Sequence, residues 1–223
     1  MVIAPVESFA RIGTFSRLYA EAGEKGYSEY LHFFAEAKKY EDVEYNEELV
    51  TLQHNRDIAG LQTIVFTAMC FEAAIYDFAA IHLGDKYVRD HIDKLDVLSK
   101  WVLVLRFVSG IEIQKDQAPY GALKKLITAR NRLVHAKSQE FDFNLQSKQF
   151  EKISKWSQEY EKNVHNAFQA LVLMSLYLDK TLAGHINPLP SYSEQNAPMR
   201  RYYSNLKEVI DECRRKLHRT DPS

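Results

Sequence analysis

The segment from Arg130 to His135, with the sequence RNRLVH, combines two side chains whose types suit acid–base chemistry on an anion. A histidine can exchange protons with reacting oxygens near neutral pH, because its reference pKa is about 6.5. An arginine stays charged and presents a planar set of donors that matches a phosphate group. The segment could therefore support proton transfer beside an anionic group, provided that the fold presents both side chains on one surface.

Arg130 is predicted to lie on the apolar side of a helix. At about 100° per residue, the line along the helix that contains Arg130 also contains three apolar residues: Leu123, Ile127 and Val134. A guanidinium buried there without a partner would cost several kcal/mol. The sequence therefore predicts either that Arg130 is paired in the core or that this line opens onto a cleft or a subunit interface.

His135 lies about 140° around the same helix from Arg130, and Asn131 is nearly in register with it one turn earlier. Asn131 could therefore orient the imidazole. Glu72 poses a matching problem on an earlier helix, because it lies among apolar residues there: Val65, Met69, Ile75, Tyr76 and Ala79. We expect Glu72 to be buried and to contact Arg130 or His135, as an acid and a base that face each other across two helices.

The elements that position these residues are all predicted to be helices, so the fold class is all-α. Long stretches without proline and an almost complete lack of alternating β-branched runs favour helix over strand. Periodicity, glycines and Pro119 predict helices at residues 55–83, 96–108, 119–137 and 147–182, with a further one after Pro198. The predicted organisation is an N-terminal helical extension (1–50), a helical core (51–184), and a linker followed by a basic helix (185–223).

Composition excludes several classes of protein. The 223 residues carry 29 Lys and Arg against 30 Asp and Glu, so no global basic field indicates a nucleic-acid binder. With two cysteines, Cys70 and Cys213, neither a disulfide scaffold nor a cysteine-ligated zinc site is available. The start of the chain has no signal-peptide pattern, and the most apolar stretch carries Glu72 and Asp77 near its middle. We therefore expect a soluble cytoplasmic protein without a membrane segment.

The basic helix after Pro198 is a weaker candidate for nucleic-acid contact. Up to Arg219 it carries seven basic residues against three acidic ones, and Tyr202 and Tyr203 could stack on bases. A solvated helix face explains the same pattern, and the sequence favours that interpretation.

The segment Arg130–His135 resembles the motif of the HEPN superfamily (higher eukaryotes and prokaryotes nucleotide-binding domain), in which an arginine and a polar residue are followed after three spacers by a histidine. The stretch 67–78, TAMCFEAAIYDF, is similar to the opening helix of HEPN proteins of this type. Leu123-Lys124-Lys125-Leu126 before the motif and Lys137-Ser138 after it are also similar. The resemblance covers roughly residues 55–182.

The resemblance implies an up-and-down helical bundle that dimerises through its motif helices. Catalytic HEPN proteins cut RNA without a metal: the 2′-hydroxyl attacks the adjacent phosphate and leaves a 2′,3′-cyclic phosphate and a 5′-hydroxyl. By this resemblance His135 is the general acid or base, Arg130 the phosphate anchor and Asn131 the positioning group, with Glu72 supporting them from outside the site. No cofactor and no metal ligand are expected.

Two alternatives stay open. Many HEPN domains are non-catalytic and bind RNA or a protein partner, in which case Arg130 would serve only as a structural ion pair. A small-molecule enzyme is a third class, but no motif supports it. The family context also implies a partner antitoxin or effector protein. In toxins of this family silenced by a nucleotidyltransferase, a modified tyrosine follows the histidine at the second position, and here that position is Lys137.

Overall fold

The computed structural model describes residues 11–40, 46–138, 146–182, 185–194 and 202–218. Every regular element in these ranges is helical, which confirms the predicted all-α class. Seven α-helices follow one another along the described chain: α1 (Ser16–Ala37), α2 (Glu47–Leu83), the single turn α3 (Asp85–Tyr87), α4 (Val97–Ser109), α5 (Ala118–Val134), α6 (Gln146–Thr181) and α7 (Lys207–His218).

The long helix α2 ends where the sequence predicts and begins earlier. Gly84 follows its last residue with φ +85°, a conformation that side-chain-bearing residues rarely adopt. At the other end the side chain of Asn46 accepts a hydrogen bond from the backbone N–H of Glu48, which caps the helix. The predicted start at residue 55 is therefore wrong by two helical turns.

The helices α4 and α5 also follow their local signals. Asp96 caps α4 by accepting from the backbone N–H of Ser99, and Gly110 ends it at φ +71°. Pro119 lies in the first turn of α5, where its missing N–H leaves no hydrogen bond unmade. However, α5 ends at Val134 rather than at the predicted residue 137, so the RNRLVH segment occupies its last turn and not its interior.

Close packing of α1 on α2 joins the first described helix to the core. The two helices are antiparallel, because Gly23 lies against Thr67 while Gly26 lies against Ala59 and Thr63. A Cβ atom on Gly26 would stand 2.9 Å from the carbonyl oxygen of Ala59, so only a glycine permits this approach.

The helices α5 and α6 bring the RNRLVH segment to one end of the bundle. They are antiparallel, because Asn166 donates to the carbonyl oxygen of Ala122 at 3.0 Å and Arg132 forms an ion pair with Glu159. The helix α6 runs parallel to α2, since Tyr160 donates to the carbonyl oxygen of Asp57 while Gly60, one turn later on α2, also lies against Val164, one turn later on α6. The last turn of α5 therefore lies beside the first halves of α2 and α6. We call this end of the bundle the motif end.

One buried cluster contains side chains from all three segments of the chain. Tyr27 and Tyr30 of α1 are at most 1% exposed. Near the C-terminus Tyr192, Leu206 and Ile210 are equally buried in the same cluster. The flanking segments thus contribute to the core that holds the motif helix.

Both cysteine thiols lie inside this cluster. Cys70 is on α2 and Cys213 is on α7, and neither residue exposes any of its surface. Burial raises the pKa of the Cys213 thiol to about 12, which keeps it protonated at neutral pH.

The helix α2 is long and apolar enough to cross a membrane, with a mean hydropathy of 1.7 in its most apolar window. In the bundle 56% of that window is buried, as in the central helices of many soluble proteins. One face of α2 accounts for much of this burial, because five residues at helical spacing on it are all buried: Ile64, Ala68, Phe71, Ile75 and Phe78.

From one buried and one half-buried histidine, His82 and His165, we expect acid to destabilise the protein. Burial lowers the pKa of His82, which also faces His185 at 5.1 Å between ring centroids, and burial lowers the pKa of His165. At a pH between the folded and unfolded pKa values of these histidines, the unfolded chain binds more protons than the folded protein does. The stabilisation is therefore fully present above pH ~6.5 and is lost as the pH falls through the folded pKa values.

We therefore expect the midpoint of urea unfolding to be lower at about pH 5.5 than at about pH 7.5. The His82→Leu variant lacks one of the two groups and should lose less over the same interval. An equal or larger loss in that variant would contradict a contribution from His82.

Candidate functional site

The three motif residues lie together on the surface of the motif end. Arg130 is half-buried, whereas Asn131 and His135 are exposed. Nη1 of Arg130 donates to Oδ1 of Asn131 at 3.0 Å, and the backbone N–H of His135 donates to the carbonyl oxygen of Asn131 at 3.1 Å. The side chain of Asn131 is therefore joined to Arg130, although the sequence predicts that it orients the imidazole.

The apolar line that contains Arg130 runs from the core to the surface. Leu123 is 1% exposed, Ile127 is half-buried, and Val134 is 53% exposed. Other buried residues of α5 lie on a neighbouring line along the helix: Ala122, Leu126 and Ala129. The structure therefore places Arg130 where this line reaches the surface rather than in the core, and the cleft or subunit interface that the sequence predicts for it stays a prediction.

The expectation that Glu72 is buried is wrong. Glu72 is exposed, and within the described ranges neither a hydrogen bond nor an ion pair joins it to Arg130 or His135. The physical reason is the orientation of α2: Val65, Met69 and Tyr76, which flank Glu72 on the helix, are only half-buried. These residues form the border of the buried face, so a carboxylate among them reaches water.

We therefore expect the Glu72→Gln substitution to be nearly silent. An exposed carboxylate without a partner contributes little, so the free energy of unfolding should change by less than about 0.5 kcal/mol. Any RNA cleavage by the protein should change less than about twofold. Urea unfolding and an RNA cleavage assay check this, and a large loss in either would show that Glu72 does contact the motif.

Arg130 and Arg132 differ in their electrostatic surroundings, although both belong to the motif. Arg132 forms a close ion pair with Glu159 of α6. Among the ion pairs of the described residues none involves Arg130, whose hydrogen bond goes to the neutral amide of Asn131. A half-buried guanidinium whose charge no carboxylate neutralises is available to an incoming anion.

A pair of aromatic rings lies beside the motif, and the sequence reasoning missed it. Trp156 and Tyr160 of α6 are stacked with their centroids 5.6 Å apart and their planes at 11°. They line a small cavity of about 50 Å³ with Leu133 and Arg132 from the motif. The spacing of Phe150, Ile153, Trp156 and Tyr160 on one side of α6 is the signal that could have found them.

The basic C-terminal helix is partly neutralised within the fold. Arg214 pairs with Asp211 at 2.8 Å and also donates to the carbonyl oxygen of Tyr192, while Lys216 pairs with Glu212 at 2.9 Å. Arg200, Arg201 and Arg219 lie outside the described residues. These contacts give two of the four Lys and Arg residues of α7 a structural role.

A scan against protein-family models, a search of curated proteins and a search of solved structures each found no match to this chain.

Proposed function

We propose that this protein is a metal-independent endoribonuclease of the HEPN type. The observation that carries the proposal is the half-buried guanidinium of Arg130, which has no carboxylate partner in the described part of the chain and precedes the exposed residue His135 by five positions at the end of α5. A purely structural arginine would be expected to pair with an acid, and Glu72, the acid that the sequence offers for this role, is turned to solvent.

The residues divide the chemistry of RNA transesterification between them. Arg130 would hold the phosphate and stabilise the negative charge that develops on its oxygens. His135 would take the proton of the 2′-hydroxyl or give one to the departing 5′-oxygen, as the bond from the 2′-oxygen to phosphorus forms and the bond from phosphorus to the 5′-oxygen breaks. Asn131 keeps the guanidinium in place through its 3.0 Å hydrogen bond.

We further propose a homodimer that brings two copies of the motif helix together. One histidine serves one proton transfer at a time, and a second copy of His135 would supply the other. Val134, which is 53% exposed beside His135, lies on the surface that a partner protomer would cover in this arrangement. The molar mass of the protein in solution tests the dimer.

The biological setting that fits the proposal is cytoplasmic defence or toxin–antitoxin function, with an antitoxin or effector protein as partner. Lys137 occupies the position of the modified tyrosine in nucleotidyltransferase-silenced toxins, so a different mode of control is proposed.

The proposal is tested by incubating the purified protein with RNA in the presence of EDTA. Cleavage that leaves 2′,3′-cyclic phosphate and 5′-hydroxyl ends is the expected result. Absence of cleavage, together with retained RNA or protein binding, would instead favour the non-catalytic module that the sequence also allows.

A further inference from the structure

We propose that Trp156, stacked on Tyr160, is the site where an unpaired RNA base binds beside the motif. This inference rests on the proposed function and specifies its substrate as single-stranded RNA. It goes beyond the motif, because Trp156 and Tyr160 lie on α6 and not on α5.

The two rings form a platform that exists before any ligand binds. Trp156 is 61% exposed, and its indole lies against Tyr160 at a centroid distance of 5.6 Å and an angle of 11°. Tyr160 is itself held in place, because its hydroxyl donates a hydrogen bond to the backbone carbonyl oxygen of Asp57 on α2 at 2.5 Å. An aromatic ring held in this way can stack on a base without first losing much conformational freedom.

The platform lies beside the last turn of α5, which carries the motif. Trp156 and Tyr160 line the same small cavity as Arg132 and Leu133, which lie between Arg130 and His135 in the motif. The ion pair between Arg132 and Glu159 also joins α5 to α6 at this level. A nucleotide whose base stacks on Trp156 would therefore place its phosphates near the motif.

The segment of the chain that runs from the motif to the platform has a surplus of positive charge. The described residues between 130 and 160 carry two acids, and both are ion-paired, Glu151 with Lys155 and Glu159 with Arg132. Over residues 130–160 as a whole the sequence has six cations and four acids, a net charge of +2 in a chain whose total is −1. Four of those six cations have no ion pair among the described residues: Arg130, Lys137, Lys148 and Lys152.

Both features together point to single-stranded RNA rather than to a duplex or a protein. In a duplex the faces of the bases are already stacked on one another, so an aromatic platform gains nothing from them. A protein partner would use the apolar rings, but only one with an acidic surface would also complement the surplus positive charge.

The test measures RNA affinity in the His135→Ala background, so that cleavage does not interfere. A short unstructured RNA with a fluorescent label is titrated at one fixed salt concentration. We expect Trp156→Ala to weaken binding by about five- to one-hundredfold, the range for loss of one stacked base. Trp156→Phe keeps an aromatic face and should stay close to the parent protein.

Matched controls separate stacking from a general surface effect. Phe107→Ala removes an aromatic ring that is 42% exposed on α4, and it should leave affinity unchanged. The other tryptophan, Trp101, is 1% exposed, so quenching of tryptophan fluorescence by RNA would report on Trp156.

Equal affinity of the parent and Trp156→Ala proteins would overturn the inference, and so would tighter binding of a duplex than of a single strand. If the Trp156→Ala substitution changes the oligomeric state of the protein in solution but not its RNA affinity, the inference is overturned in favour of a protein contact. The proposed function fails separately: if the unsubstituted protein does not cleave RNA and Trp156-dependent binding persists, the base site stands without the nuclease.

Discussion

Replacing His135 with alanine is expected to reduce RNA cleavage in EDTA by about 10²- to 10⁴-fold, the usual contribution of a positioned general acid or base. The reason is that His135 is the general acid or base in the proposed mechanism, whereas Arg130 holds the phosphate. Because His135 is exposed and follows the last residue of α5, its loss should not disturb the fold. Initial rates of formation of cyclic phosphate ends measure the effect.

The matched control is His91→Ala, which removes another exposed imidazole from a different part of the chain. That variant should cleave RNA at the rate of the unsubstituted protein. Equal cleavage by all three preparations would assign the activity to a contaminant or to other residues, and it would remove the chemical basis of the proposal.

Replacing Tyr27 with alanine is expected to lower the free energy of unfolding by about 3–5 kcal/mol, the cost of deleting a large aromatic side chain from a packed core. Tyr27 exposes none of its surface, stacks on Phe168 at 4.7 Å between centroids, and forms a 2.7 Å hydrogen bond between its hydroxyl and Nδ1 of His165. The substitution therefore leaves a cavity in the core. It also leaves the partly buried Nδ1 of His165 without its hydrogen-bond partner. Urea unfolding measures the loss.

Leu18→Ala is the control on the same helix, because that side chain is 57% exposed. It should change the free energy of unfolding by less than about 0.5 kcal/mol. A loss for Tyr27→Ala of less than about 1 kcal/mol would contradict the view that α1 is part of the core.

The ends of α2 and α4 could be predicted from the sequence because they are set by local chemistry. Gly84 and Gly110 adopt positive φ values that other residues avoid, and Asp96 caps α4 with its own side chain. The start of α2 was missed although Asn46, followed by two acids, is an equally local signal. The all-α class follows from the same punctuation, while the HEPN-like arrangement of the helices and the dimer stay predictions.

The candidate site could be predicted only in part, because helical periodicity fixes the angles between side chains but not the direction of the whole helix. Arg130 and Glu72 each occupy an apolar surrounding along their own helix. In the bundle, the buried face of α2 stops short of Glu72, and the line of Arg130 emerges at Val134. Trp156 was missed for a different reason: its place beside the motif depends on the contact between α5 and α6, which lies outside any local pattern.

The two cysteines give the molecule a pair of built-in reporters of opening. Cys213 lies on α7 and is buried where that helix packs against the bundle, whereas Cys70 lies on the central helix α2. A thiol-selective alkylating reagent can reach Cys213 once α7 detaches, but it reaches Cys70 only when the interior itself opens. The order in which the two thiols are labelled therefore distinguishes detachment of the C-terminal helix from global unfolding, and no cysteine has to be engineered for the experiment.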